Sequence, residues 1–158
     1  MINRFLLFVL LALVLSSCGK DSVFKKYHDF DKNTWAKSEI VTFEPTIENT
    51  DQEYDISFGI SHASAYPFAN VIIGVTIETP AGEKRFMQHS LIIRNTDGTF
   101  KGDPLGEIYD ISVPAYKNFV FKNSGKYKFI IENRMPLVEM PGLISIGLII
   151  NKSKSEEK

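Results

Sequence analysis

From Tyr54 onward the chain places apolar residues at every second position, and that spacing limits its fold more than any other feature. Tyr54, Ile56, Phe58 and Ile60 alternate with Asp55, Ser57, Gly59 and Ser61, while Val71, Ile73, Val75 and Ile77 are interleaved with Ile72, Gly74, Thr76 and Glu78. A period of two belongs to a strand with one face in a core and the other toward water. Further strands are expected at 39–43, 84–94, 108–113, 116–121, 126–133 and 143–151. Turn residues separate them: Pro80-Ala81-Gly82, Asn95-Thr96-Asp97-Gly98 and Asn123-Ser124-Gly125. About eight short strands with almost no helical period predict an all-β chain forming a single antiparallel β-sandwich. The last strand, LISIGLIINK, is apolar on nearly both sides and is expected to lie centrally. No internal repeat is visible.

The stretch before the alternation reads differently. Phe24, Tyr27, Phe30 and Trp35 are separated by charges, and Asp31, Asn33 and Thr34 favour turns. Residues 24–35 are therefore expected to be irregular and pinned to the domain by their aromatics, with Trp35 a core plug.

The first residues have the order of a secretory signal: a positive start with Arg4, an apolar run Phe5 to Leu15, then Ser16 and Ser17. Eleven apolar residues are too few for a helix that crosses a bilayer, which needs about 20. Leu15-Ser16-Ser17-Cys18 resembles a bacterial lipobox, in which the cysteine thiol is diacylated, the signal is cut before it, and the new amino terminus is acylated, often with palmitate. The competing reading is an ordinary signal peptide cleaved nearby with a free thiol. A lone cysteine has no intramolecular disulfide partner, which favours the lipobox. The expected organisation is a signal peptide at 1–17, a lipid-anchored tether at 18–23, the sandwich domain at 24–151 and a polar tail at 152–158. Two or three acyl chains give a lasting anchor where one holds marginally.

Loss of residues 1–17 leaves 141 of 158 residues and moves the formal charge from −1 to −2. That length suits one domain. The near-neutral balance gives no electrostatic case for nucleic acid. With 44% hydrophobic residues and no disulfide, packing and hydrogen bonding must hold the fold.

Chemistry-bearing patterns are sparse. His28, His62 and His89 are scattered, and no second cysteine, HExxH, GxSxG elbow or phosphate-binding glycine loop accompanies them. His28 with Asp29 and Asp31 reads as a solvated cluster rather than a metal site. His62, in SHASAYPF, either caps a turn or lines a surface. The glycine-rich stretch DGTFKGDPLGEIYD holds Asp103, Glu107 and Asp110, whose spacing does not match an EF-hand. The expectation is a non-enzyme with no catalytic residue, no metal and no cofactor.

The lipobox, DGTFKGDPLGEIYD and the ending SGKYKFIIENRMPLVEMPGLISIGLIINK together resemble the gliding-motility GldH lipoprotein family of Bacteroidota. The residues that carry the resemblance are Gly98, Phe100, Gly102, Leu105, Gly106, Ile108, Tyr109 and Asp110 in the first stretch. In the second they include Gly125, Tyr127, Phe129, Ile131, Met135, Leu137, Pro141, Gly142, Gly147, Leu148 and Ile150. The early FKKYHDFDKNTW is similar as well. The chain departs from the pattern at Phe100, where a tryptophan is usual, at Asn133-Arg134, where a histidine is common, and at Asp103-Pro104. The resemblance implies a membrane-anchored cell-envelope lipoprotein, an accessory or scaffold in an assembly associated with gliding or type IX secretion, with protein partners. The alternative is a lipid-anchored sandwich that binds a glycan or other small ligand. It would use Tyr66, Phe68 and Phe100, aromatics expected to be exposed in loops beside Pro67 and the glycine-rich stretch.

Overall fold

A computed structural model describes residues 22–154. The expected signal peptide, Cys18 and residues 155–158 of the polar tail lie outside the described residues. The chain runs through β1 (Ser22–Asp29), a one-turn 3-10 helix (Asp31–Asn33), β2 (Thr34–Ala36), β3 (Val41–Phe43), β4 (Thr46–Ile47), β5 (Tyr54–Ala63) and β6 (Asn70–Glu78). It continues through β7 (Lys84–Ile92), β8 (Asp103–Leu105), β9 (Ile108–Phe119), β10 (Gly125–Lys126), β11 (Lys128–Asn133), β12 (Glu139–Pro141) and β13 (Leu143–Lys152). Two antiparallel sheets form the sandwich, ordered β1-β13-β5-β9-β8 and β3-β11-β6-β7. The short pairs β10-β4 and β12-β2 complete it.

The alternation does what its period requires. Ile56, Phe58 and Ile60 of β5 lie opposite Ile150, Leu148 and Ile146 of β13, and directly opposed side chains share one face of a sheet. They form one core cluster with Val71, Ile73, Val75 and Ile77 of β6 and Phe129 and Ile131 of β11. β13 is central, between β1 and β5. Its outer face is also covered, because the Tyr27 ring of β1 lies where side chains at Gly59 and Gly147 would otherwise stand.

Two segments differ from the sequence expectation. Residues expected to be irregular form β1, which begins at Ser22, inside the stretch read as tether. Its side chains carry little period of their own; β1 is held by the backbone edge of β13 from Ser22↔Asn151 to Asp29↔Ser145. Lys25 and Lys26 keep this outermost strand polar, a common protection of a sheet edge. The strands expected at 108–113 and 116–121 are one strand, β9, through Pro114. Only Ile108, Tyr109 and Asp110 of β9 pair with β8, so Pro114 lies on a free edge, where a missing N–H costs no ladder bond.

Trp35 is fully buried and stacks on Phe30 with ring centroids 4.9 Å apart. Its Nε1–H donates to the Glu39 carbonyl at 2.9 Å. Buried Asn133 donates through Nδ2 to the Trp35 carbonyl at 3.0 Å and accepts from the Met135 amide at 2.9 Å, which ties the plug to the exit of β11.

The registers define two ends. Ser22 lies opposite Asn151, Asn151 opposite Asp55, and Tyr54 opposite Phe119; Glu78 and Lys84 close the second sheet at the same end. At the other end lie Asp29, His62, Ile108, Asn70 and Ile92. Trp35→Ala is expected to lower unfolding free energy by about 3–5 kcal/mol; a urea midpoint unchanged from the parent contradicts the plug assignment.

Candidate functional site

At the His62 end, three connections meet: the loop between β5 and β6, the turn after β7, and the β8-β9 hairpin. The turn forms because Asp97 accepts from the Thr99 amide and hydroxyl at 2.9 and 2.6 Å, with Gly98 at φ +87°. An Arg94↔Phe100 bridge closes it. Gly102, at φ +95°, passes so close to the Asp110 carbonyl that a Cβ there would clash.

Arg94 ties the first two of these connections together. Its Nη2 donates to the Tyr66 carbonyl at 2.8 Å, Nη1 to the Gly98 carbonyl at 2.8 Å and Nε to the Phe68 carbonyl at 3.4 Å. The guanidinium lies 3.7 Å from the Phe100 ring centre, a cation–π contact. His62 is packed among the same groups, 4.5 Å from Phe100 and stacked on Tyr109 at 5.6 Å and 10°. Its Nδ1–H donates to the Ala63 carbonyl at 3.0 Å, leaving Nε2 buried without a partner.

Tyr66, Phe68 and Phe100 are thus brought to one place, but not as exposed platforms. Tyr66 is fully buried, and its hydroxyl donates to the Asn70 carbonyl at 3.0 Å. Phe68 and Phe100 are half-buried against the core. The expectation of exposure fails because the loop folds back between the ends of the sheets and Arg94 holds it there. Arg94 was not singled out in the sequence, and Tyr109 entered only among the residues that carry the family resemblance. Arg94 contacts carbonyls 26 and 28 positions away, which no local pattern reveals.

The other candidates are dispersed. His28 Nε2 meets Glu39 Oε1 at 2.8 Å, and His89 Nε2 meets the Tyr116 hydroxyl at 2.8 Å. Asp103 and Asp110 are cross-strand neighbours. Among the described residues no group of three or more His, Cys, Asp or Glu is placed to hold a metal ion.

What this end does expose is aliphatic. Of the ten large hydrophobics left exposed among the described residues, Ile92, Leu105, Ile108, Leu137 and Val138 lie here, Leu105 at 73% and Val138 at 74%. Leu105 and Ile108 face each other across the β8-β9 hairpin. Leu137 and Val138 cap the loop before β12, and the Val138 carbonyl accepts from the Lys37 amide at 2.7 Å.

Comparison with known proteins adds a family context. The family model described as GldH lipoprotein matches residues 22–150. A gliding motility lipoprotein GldH of Flavobacterium johnsoniae is 29% identical over 91% of this chain and 93% of its own length. A GldH homolog of Christiangramia forsetii is 25% identical over 93% and 94%. Among solved structures, a subviral particle of infectious bursal disease virus VP2 covers 86% of this chain at 11% identity and a TM-score of 0.38. This chain spans about a third of that viral chain's length, and the likeness is too slight to bear on fold or function.

Burial, above all, pushes the His62 pKa below the usual histidine value; Arg94 adds to this, while the Ala63 hydrogen bond and Asp110 oppose it. A histidine depressed in the folded state gives stability that is complete above its unfolded value of about 6.5 and declines as pH falls below it. Burial depresses His89 in the same direction. Unfolding free energy measured by urea is therefore expected to fall between pH 7.5 and 5, and His62→Gln to reduce that slope. An unchanged slope in the variant contradicts the buried neutral ring.

Proposed function

The chain belongs to the GldH lipoprotein family, and from that premise we propose that it is a membrane-anchored envelope lipoprotein acting as a non-enzymatic accessory or scaffold in a gliding or type IX secretion-associated assembly. Cys18 is the anchor. It lies four residues before Ser22, so the tether spans at most about 14 Å, and the Ser22 end of the sandwich is kept near the membrane while the His62 end is carried away from it.

The observation that carries this reading is the set of exposed aliphatics at the far end, where Leu105, Ile108 and Val138 present apolar surface that water does not favour. Aliphatic side chains exposed on short connections suit a protein partner. A sugar-binding face instead needs exposed aromatic planes with converging polar groups, and the burial of Tyr66 weighs against that alternative.

After crosslinking, affinity purification of the lipoprotein from its own envelope is expected to recover protein partners that are lost with Leu105→Glu plus Val138→Glu at unchanged circular dichroism. Recovery of no protein, together with saturable binding of a glycan, overturns the scaffold reading. The anchor is tested separately: Cys18→Ser is expected to abolish lipid labelling and release the chain from the membrane, and full membrane retention contradicts it.

A further inference from the structure

At the Ser22 end the two sheets part on the side where β7 and β9 both have free edges, leaving a cavity of about 440 Å³. Its floor is apolar and largely aromatic: Ile77, Phe121 and Tyr127 are buried, and the Phe121 ring packs edge-to-face against both Phe119 and Tyr127 at 4.8 Å. Val120 stands at the mouth, 54% exposed. The volume falls in the range usual for small-molecule sites, roughly 300–1,000 Å³.

The rim is charged with one dominant sign. Lys84, Arg85 and Lys122 line it, against the single acid Glu83. Ion pairs among the described residues join His28 to Glu39, Lys84 to Glu78, Lys117 to Asp55, Lys126 to Glu44 and Arg134 to Glu132. Arg85 and Lys122 are left without one. Arg85 is the unusual residue. It lies directly opposite Ile77 and so shares the core-facing side of the sheet, where the corresponding β7 positions Leu91, His89 and Met87 lie opposite Val71, Ile73 and Val75. Arg85 is exposed where it lines the cavity, and among the described residues no carboxylate pairs with it, which leaves its guanidinium available to an anion from outside. Its planar fork matches a carboxylate with two parallel hydrogen bonds.

We propose that this cavity binds a single-chain amphiphile with a carboxylate head, the head on Arg85 and Lys122 and the alkyl chain over Ile77, Phe121 and Tyr127. The inference rests on the proposed anchoring only for the source of the ligand, since the cavity lies at the end held near the membrane. The rival reading of Arg85 is a guard against strand addition: an inward-pointing charge on a free edge discourages pairing with another chain.

The test uses the full-length lipoprotein in its own membrane, irradiated with a diazirine-bearing hexadecanoic acid and then digested for mass spectrometry. Label is expected in peptides spanning 77–85 and 119–127, competed by dodecanoate and not by dodecyltrimethylammonium. Arg85→Gln is expected to reduce it by about tenfold or more, equivalent to the loss of one charge-assisted pair, and Arg85→Lys to retain most of it. Should Arg85→Gln disturb folding, Lys122→Gln, which lies outside any strand, is expected to weaken labelling with an unchanged urea midpoint. Label elsewhere, equal competition by the cationic amphiphile, or full labelling of Arg85→Gln overturns the site and leaves Arg85 as an edge guard. A Cys18→Ser chain separates the two readings: its membrane retention reports on the anchor alone, and persistent label at the same peptides supports the cavity whatever the fate of the anchor.

Discussion

The antiparallel placement of β13 between β1 and β5 is the constraint on which the rest of the molecule depends. Through it Ile146, Leu148 and Ile150 enter the core beside the β5 row, and through it β1 acquires a partner that its own side chains do not specify. The same registers put Ser22 and Tyr54 at one end and His62 at the other. A slip of one residue in β13 would turn its buried row outward and move the β1 entry point with it. Core packing and the direction in which the domain is presented are therefore set by the same pairing.

Alternation reports whether a strand has one wet face, and where that condition holds the sequence was legible. β5 and β6 lie where their periods place them, β13 is central as its two apolar faces indicated, and Trp35 is the plug that its bulk and context indicated. Where a strand is defined by its neighbour, the pattern failed. β1 exists because β13 offers an unpaired backbone edge, and β9 continues through Pro114 because little pairs beyond it. The loop aromatics were legible as a group but not in their exposure. Pro67 beside Tyr66 resembles a surface turn, yet Arg94, distant in sequence, draws its backbone inward.

The two ends differ in physical character. At the His62 end a guanidinium and a neutral imidazole are spent on internal contacts, and neighbouring connections expose aliphatic side chains. At the Ser22 end Arg85 and Lys122 of the cavity rim have no ion-pair partner among the described residues, and the aromatic floor lies open between free strand edges. Under the proposed reading, a short tether gives these differences a direction: the cavity is held near lipid, and the aliphatic loops are held out toward other envelope proteins. The family sets the context of an anchored lipoprotein, while the division of labour between the ends is inferred from these residues.

The direct test of that orientation is photo-crosslinking from single sites in living cells. A photoreactive amino acid placed at Leu105 or at Val138 is expected to give protein adducts of higher mass, and one placed at Thr79, at the Ser22 end, is expected to give none. Adducts from Thr79 with none from Leu105 or Val138 would contradict the account.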